Sequence, residues 1–313
     1  MVDTSENRMP FSHFDAILQQ VAPLDDIPVA VVDAGQKEVL EAACAARAQS
    51  IVEPILLGNA QKIRALLANL QQETGNCPSF RIVDVPSSEA AAAEAVQMVE
   101  RGEAAAIMKG HIHSDAFLHP ILAKLRTDRR LSHIFVAELE SYHKPLLITD
   151  AAINISPDLL SKAAILQNAV DLARILGVEQ PKAAALSAVE TVNPAIASTV
   201  DAACLAKMAE RGQIQHAIVD GPLAFDNAIS AHSAEVKGIH SPVAGDVDIL
   251  LVPDLVSGNI LAKDLEYLAH ASLAGIVMGA KVPIILTSRA DPPRARLVSA
   301  ALAALLHYAE KSK

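Results

Sequence analysis

The chain has 313 residues, of which 51% are hydrophobic and 20% are charged, and this balance excludes an intrinsically disordered protein. Its formal net charge is −10, with 26 Lys and Arg against 36 Asp and Glu, so general binding to nucleic acid is not expected. The three cysteines, Cys44, Cys77 and Cys204, form no CxxC pair, which predicts buried thiols in a reducing compartment and neither a disulfide framework nor a zinc site.

The location that the sequence predicts is the cytoplasm. Residues 1–20 mix charged and apolar side chains and lack the continuous hydrophobic region of a signal peptide. No stretch reaches the roughly 18 uninterrupted apolar residues that a membrane-spanning helix needs. We therefore expect neither a nucleic-acid nor a membrane partner, and a small anionic ligand would require basic residues that cluster locally.

Short apolar runs alternate with helical patterns through the first half of the chain. Because these runs are continuous in Val, Ile and Leu, they predict strands that are covered on both faces, as in a parallel sheet flanked by helices. The predicted strands lie at 27–34, 52–58, 80–85, 104–110, 133–140 and 144–150, and the helices among them at 37–50, 59–74 and 88–101.

The second half of the chain continues in the same way. A helix is predicted at 156–177, with Pro157 in its first position and Gly177 as its stop. Further strands are predicted at 182–188, 216–221, 246–254, 271–279 and 282–288, and further helices at 194–211 and 292–308. The fold class is therefore α/β, with mainly parallel sheets flanked by helices, and the pattern places a domain boundary near 150–156.

Four predicted strands end in polar or turn-prone segments. Open α/β sheets place their ligand sites at the carboxyl ends of the strands, so these segments are the candidates for chemistry. The sequence contains no P-loop, no G-x-G-x-x-G fingerprint and no G-x-S-x-G elbow, so the usual nucleotide and hydrolase sites lack support. The four segments are 108–114, 219–226, 252–263 and 286–293.

The segment 108–114 predicts an oxyanion or phosphate pocket. Lys109 and Gly110 end a strand, and Ser114 begins a helix whose first backbone N–H groups can bind an anion. A local excess of basic residues follows, and we take Arg130 from it as a further candidate for substrate binding. The alternative is an ordinary solvated helix face.

Histidines crowd the same region and raise the question of a metal. They are His111, His113, His119, His133 and His143. A His-x-His pair can bind zinc, but no acidic cluster at ligand spacing supplies the remaining ligands. We therefore expect no metal site.

The last two segments each place polar groups where a strand meets a helix. Ser257, Asn259 and Lys263 lie in 252–263, where the alternative is that Ser257 or Asn259 is only a helix cap. Ser288 and Arg289, followed by Asp291, lie in 286–293, where the alternative is a cap at Asp291 beside an exposed arginine.

Taken in order, these motifs resemble those of the phosphate acetyl/butyryltransferase family. The resemblance covers roughly residue 15 to the C-terminus and is closer to the butyryl-type branch and to the acyltransferase domain of bifunctional enoyl-CoA hydratases. Its most specific parts are PDLVSGNI and TSRAD. The matching segments are MKGHIHS (108–114), LRTDRRLSHIFV (125–136), KPLLITDAAINISPDL (144–159), VDGPLAFDNAIS (219–230), ILLVPDLVSGNILAKDLEYL (249–268) and VPIILTSRAD (282–291).

The resemblance implies a two-domain fold with the active site in the cleft, similar to that of isocitrate and isopropylmalate dehydrogenases. The first domain would comprise 1–150 plus 285–313 and the second 151–284. It further implies a homodimer or larger homo-oligomer, coenzyme A as substrate or product, and no metal or tightly bound cofactor. The reaction would be acyl-CoA + phosphate ⇌ acyl phosphate + CoA, through a ternary complex.

The resemblance also assigns residues. Ser288 and Arg289 match the family's active-site Ser-Arg pair, Asn259 and Lys263 match its Gly-Asn-Ile helix start, and Ser114 matches a hydroxyl of the phosphate-binding turn. The acetyl branch has its proposed base, an aspartate, about two turns beyond the serine. This chain has no acid there, so Asp291 is the nearest carboxylate.

Two other functions stay open at this point. One is a metal- and NAD-dependent 2-hydroxyacid dehydrogenase of similar fold, which would need clustered aspartates for a divalent cation. The other is a non-catalytic acyl-CoA-binding module, which would bind CoA tightly without turnover.

Overall fold

A computed structural model describes residues 14–75, 77–287 and 291–311. The chain forms two compact units, which we call the N/C unit (Leu18–His133 with Ala274–Lys313) and the middle unit (Met1–Ile17 with Ile134–Leu273). The division into domains of 1–150 plus 285–313 and 151–284 stays a prediction. Among the described residues, no helix is long and apolar enough to cross a membrane.

The strands of the N/C unit form a mostly parallel array. Their order is β3–β2–β1–β4–β11–β10, and only the β10–β11 pair is antiparallel. The carboxyl ends of β1, β2, β4 and β11 therefore lie along one edge of the array. The strands are β1 (Ile27–Val32), β2 (Val52–Gly58), β3 (Arg81–Asp84), β4 (Ala106–Lys109), β10 (Ser272–Met278) and β11 (Ile284–Ile285).

Helices flank this array, and local sequence signals fix several of their ends. The side chain of Asn59 caps α3 by accepting from Lys62 N at 2.9 Å, and Gly75, at φ 69°, ends it in the left-handed conformation. In α11 the residues 295–306 are all buried, and all of them except Arg296 and Ser299 are apolar. The helices are α2 (Lys37–Ala48), α3 (Ala60–Thr74), α4 (Ser88–Glu100), α5 (Ser114–Lys124) and α11 (Pro293–Lys311), with α1 at Phe14–Val21.

The middle unit repeats the architecture. Its strand order is β5–β6–β9–β7–β8, with only the β5–β6 pair antiparallel, and its core includes Leu146, Ile148 and Leu250. The strands are β5 (Ser132–Glu138), β6 (Leu146–Thr149), β7 (Lys182–Leu186), β8 (Ile218–Leu223) and β9 (Ile249–Leu251). The helices are α6 (Leu159–Ile175), α7 (Ala197–Glu210), α8 (Phe225–Ile229), α9 (Ala231–Val236) and α10 (Leu255–Tyr267).

A charged network joins the amino-terminal ends of three strands in the middle unit. The buried Lys144 lies 2.7 Å from Asp248 and 2.9 Å from Asp246, and Lys182 lies 2.5 Å from Asp246. Burial raises the pKa of Asp246, but the hydrogen bonds from Lys182 and Lys144 lower it by more, to about 2. The network therefore favours the ionised carboxylate.

The predicted fold class, α/β with mainly parallel sheets flanked by helices, is confirmed. The prediction that Pro157 occupies the first position of a helix is wrong, because α6 begins at Leu159 and is capped by Asp158, which accepts from Ser161 N at 2.8 Å. The strand predicted at 282–288 is only two residues long, Ile284–Ile285. Pro283 lacks an N–H for pairing, which shortens its start.

Candidate active site

A cavity of about 270 Å³ opens at the carboxyl edge of the N/C unit. Gly110 follows β4 directly, and Thr287 lies two residues past β11, so two neighbouring strand ends form part of its wall. The loop and first turn of α2 and the buried side chain of Arg296 complete it. The lining residues are Gln36, Glu38, Val39, Gly110, His111, Thr287 and Arg296. Of the predicted substrate-binding residues, Gly110 is on this wall.

Gly110 is required by the close approach of two strand ends. Its N–H donates to the carbonyl of Val32 at 2.9 Å, and a Cβ at this position would come within 2.5 Å of the carbonyl oxygen of Asp33. Asp33 itself has φ 53°, an uncommon conformation for a residue with a side chain. Its carboxylate accepts from the hydroxyl of Ser88 at 2.6 Å. The backbone at Gly110, on the cavity wall, is therefore packed closely against the end of β1.

Lys109 and Ser114 lie on either side of this turn. Lys109 is the last residue of β4 and is buried, and Ser114 is the first residue of α5 and is exposed. The side chain of His113, the residue before α5, makes no capping hydrogen bond, whereas the side chains before α3 and α4 do. The role of Lys109 and Ser114 in phosphate binding stays a prediction.

Arg130 lies away from Gly110. Its backbone carbonyl packs against Gly279, which follows β10. Because β10 runs antiparallel to β11 and β11 runs parallel to β4, this point is at the amino-terminal edge of β4. The structure thus does not bring the backbone of Arg130 beside Lys109 and Gly110, although the two share one basic stretch of sequence.

The predicted catalytic residues Ser288 and Arg289 lie outside the described residues. The positions on both sides are described: Thr287 lies on the cavity wall, and Asp291 is partly buried just before α11. Arg296, which the sequence analysis did not select, is buried with 7% of its surface exposed. One of its guanidinium nitrogens, Nη1, donates to the carbonyl of Glu38 at 2.5 Å. The missed signal was its position one turn into the helix after TSRADPP.

In the middle unit, the loop after β6 is organised by one carboxylate. Asp150 is buried and accepts from the backbone N–H groups of Ala152, Ile153 and Asn154 at 2.9, 3.0 and 3.3 Å. The side-chain amide of Asn154 also donates to it, at 2.5 Å. Four hydrogen bonds to Asp150 therefore hold the loop, and the sequence analysis did not select this aspartate because an aspartate after a strand is a common turn residue.

The start of α10 packs directly on this loop. Gly258 is buried, and a Cβ there would lie 2.6 Å from Val252 Cγ2 and 3.0 Å from the carbonyl oxygen of Asp150. The side-chain amide of Asn259 donates to the carbonyl of Ala151 at 3.3 Å. The ITDAAINI and PDLVSGNI segments thus form one substructure at the carboxyl ends of β6 and β9.

The three predicted binding residues of α10 have structural partners. The N-cap is Asp254, not Ser257 or Asn259, since Asp254 accepts from Ser257 N at 2.9 Å. The hydroxyl of Ser257 donates to the carbonyl of Asp254 at 3.0 Å. Lys263 lies 2.7 Å from Glu266 and 5.5 Å from the ring centre of Tyr267. Their role in substrate binding stays a prediction.

The remaining strand-end segment, 219–226, spans the end of β8 and the start of α8. Asp226 forms an ion pair with Lys237 at 3.1 Å, and this hydrogen bond lowers the pKa of Asp226 and raises that of Lys237. Both side chains are exposed, so the pair contributes little to stability. Among the described residues, no group of three or more His, Cys, Asp and Glu is arranged to hold a metal ion.

Comparisons with known proteins agree on one family. The family described as "Phosphate acetyl/butaryl transferase" matches residues 79–304. The chain is 48% identical over 305 residues to a phosphate acetyltransferase of Rickettsia prowazekii (strain Madrid E), covering 96% of this chain and 86% of that protein. It is 40% identical over 296 residues to a phosphate butyryltransferase of Clostridium acetobutylicum, covering 94% and 97%.

Solved structures give the same result. A branched-chain phosphotransacylase from Enterococcus faecalis V583 is similar with a TM-score of 0.76 and 31% sequence identity, over 90% of this chain and 99% of that chain. The relatives differ in the acyl group that their names carry, so similarity alone does not assign the acyl chain length. The predicted proximity to the butyryl branch stays a prediction.

Proposed function

Because the chain belongs to the phosphate acetyl/butyryltransferase family, we propose that it transfers a short acyl group reversibly between coenzyme A and inorganic phosphate. The observation that carries the proposal is the match over residues 79–304, because all four polar strand-end segments lie inside it. Coenzyme A is then a substrate or product, with no tightly bound cofactor. We further propose a cytoplasmic homodimer or larger homo-oligomer.

The chemistry has two electrostatic demands. The thiolate of CoA and a phosphate oxygen exchange places on an acyl carbon, and negative charge develops on the carbonyl oxygen between them. A guanidinium can favour a thiolate and hold a phosphate oxygen in a bidentate contact. A hydroxyl or backbone N–H that stabilises the oxyanion is typically worth about 2.7–4 kcal/mol. We assign these tasks to Arg289 and Ser288, which come directly after Thr287 in the sequence; Thr287 itself lines the cavity.

The N/C-unit cavity supports an anionic reactant at this place. Arg296 supplies a buried positive charge, and the tight turn at Gly110 brings the main chain close to the cavity. Lys109 and Ser114 flank that turn and are proposed to bind phosphate, while Ser257, Asn259 and Lys263 of α10 are proposed to bind substrate.

The proton acceptor for this reaction is a separate question. A general base typically contributes about 10²–10⁴ in rate. Asp291 is the base that the sequence suggests, and Glu38 and His111 are the titratable groups with proton-acceptor ability on the described cavity wall. Measuring kcat against pH for Glu38→Gln, His111→Asn and Asp291→Asn separates them, since only loss of the base removes the acidic limb of the profile.

The proposal is tested by following both products. Purified protein with butyryl-CoA and phosphate should yield CoA thiol and an acyl phosphate, trapped by hydroxylamine as the hydroxamate, in equal amounts. Omission of phosphate should abolish both products. Thiol release without hydroxamate would contradict the proposal, and CoA binding without turnover would favour a non-catalytic module.

A further inference from the structure

Two thiols of the N/C unit are in direct contact. Cys44 lies on α2 and Cys77 follows the end of α3, and their Sγ atoms are 3.2 Å apart. Both are partly buried, as is Cys204, so the prediction that the three cysteines are buried is wrong. A disulfide bond is about 2.05 Å long, so the two sulfur atoms need to approach by only about 1.2 Å to form one.

The contact is held by the structure around it. Cys77 N donates to the side-chain oxygen of Gln71 at 2.6 Å, and the side-chain amide of Gln71 donates to the carbonyl of Gly75 at 3.1 Å. The end of α3 thus fixes the backbone that carries one thiol, while α2 carries the other. A second link joins the same two helices, because Lys37 lies 2.6 Å from Glu73.

We infer that Cys44 and Cys77 are a reversible oxidation site, at which a peroxide converts the two thiols to a disulfide that cross-links α2 to the end of α3. A cysteine that is oxidised to a sulfenic acid forms a disulfide when a second, resolving cysteine lies next to it, and Cys44 and Cys77 have this arrangement. Among the described residues no metal-binding group of His, Cys, Asp and Glu includes them. The inference does not depend on the proposed acyl transfer.

The oxidation takes two steps. One cysteine of the pair, as its thiolate, attacks the O–O bond of hydrogen peroxide and becomes a sulfenic acid, while the departing hydroxide takes a proton to form water. The other cysteine, 3.2 Å away, then attacks that sulfur, and its proton leaves with the hydroxyl group as a second water. Two thiols are oxidised and one peroxide is reduced.

The cross-link would act on the cavity wall through α2. Glu38 and Val39 line the cavity from the first turn of this helix, and Cys44 lies five residues beyond Val39, about 7.5 Å along the axis. The disulfide would close a loop between positions 33 residues apart, which contains β2 and α3. It should therefore restrict movement of α2 and stabilise the N/C unit against unfolding.

The experiment is a peroxide titration of the whole protein, followed by digestion and mass spectrometry without reduction. We expect one cross-linked species that joins the peptides of Cys44 and Cys77, lighter than their sum by two hydrogen atoms and lost after dithiothreitol. The midpoint of thermal unfolding should rise by at least a few degrees on oxidation and return on reduction. Equal oxidation of Cys204 to a sulfinic acid without any cross-link would overturn the inference.

Three variants serve as matched controls. Cys204→Ser, in the middle unit, should keep the cross-link and the thermal shift. Cys44→Ser and Cys77→Ser should each abolish the cross-link and the thermal shift, and leave the remaining thiol of the pair as a sulfenic acid that dimedone labels. A thermal shift on oxidation that persists in either variant would refute the assignment of the cross-link to this pair. Wild-type mass spectra decide the cross-link itself even if a variant folds poorly.

Discussion

Gly258 offers a test of the substructure that joins α10 to the Asp150 loop. In an ordinary helix interior, glycine to alanine stabilises by about 0.8–1.0 kcal/mol. Here the new Cβ would lie 2.6 Å from Val252 Cγ2, 3.0 Å from the carbonyl oxygen of Asp150 and 3.2 Å from Ala151 Cα. Overpacking of this kind typically costs about 1–3 kcal/mol. Two of the three contacts are with backbone atoms, which cannot rotate away, so the cost should lie near the upper end, about 2–3 kcal/mol. After the helix propensity is subtracted, Gly258→Ala should lower the free energy of unfolding by about 1–2 kcal/mol.

Val252, whose side chain the new Cβ would contact, allows a double-mutant cycle that isolates the cause of the destabilisation. Val252 is buried, and Val252→Ala alone should cost about 1.6 kcal/mol for its two lost methyl groups, plus a cavity term. In the Gly258→Ala background the same change relieves the closest contact, so its cost should fall by about 1 kcal/mol or more. The conflict with the Asp150 carbonyl remains, so the double variant should not recover wild-type stability.

Two measurements test this: hydrogen exchange of the α10 amides, and unfolding in urea. Far-UV circular dichroism monitors the unfolding, because the chain has no Trp to report by fluorescence. Exchange is needed because a chain of two units need not unfold in one step. Val256→Ala is the control: it lies on the same helix, is 63% exposed and should change stability by no more than about 0.5 kcal/mol. A Gly258→Ala protein as stable as wild type, or additive effects in the double variant, would refute the reasoning.

Three further predictions concern the site, metals and pH. Arg289→Gln should lower kcat by about 10²-fold or more with an unchanged melting temperature. Arg289→Lys should recover only part of the lost kcat, because a point charge cannot replace the bidentate contact of a guanidinium. A near wild-type kcat for Arg289→Gln would show that Arg289 is not part of the active site. Activity should survive exhaustive EDTA treatment, and loss that one divalent cation restores would contradict the sequence prediction that no metal takes part. Because the pKa of Asp246 is lowered to about 2, its stabilisation is present above about pH 4 and is lost as the pH falls to about 2. Acid unfolding of Asp246→Asn should therefore depend less on pH in that window than that of the exposed control Asp264→Asn, and equal curves would exclude this role.

The fold was predictable because its signals are local. Continuous aliphatic runs predict the buried strands, and side-chain caps such as Asn59 and Ser87 set helix starts. Strand lengths were less predictable because pairing decides them. In the described part of the run at 282–288, Ile284 and Ile285 form the strand, between antiparallel β10 and parallel β4.

The sequence predicted those parts of the site that lie at strand ends, but not the residues that other elements contribute. The segments at Gly110 and Thr287 do meet at one cavity, as parallel strands require. Arg130 was grouped with Lys109 by charge, yet α5 and the following turn carry the chain back to the opposite edge. Arg296 and Glu38 reach the cavity through the packing of α11 on α2, a long-range contact that no local pattern encodes.

The most direct test of the acyl transfer is the release of CoA thiol from acetyl-, propionyl- and butyryl-CoA by purified protein, with and without inorganic phosphate. We predict that thiol is released only when phosphate is present and that the rate saturates with phosphate concentration. The rates for the three acyl-CoA substrates then give the preferred acyl group. Equal release in the absence of phosphate would make the protein a thioesterase and contradict the proposed function.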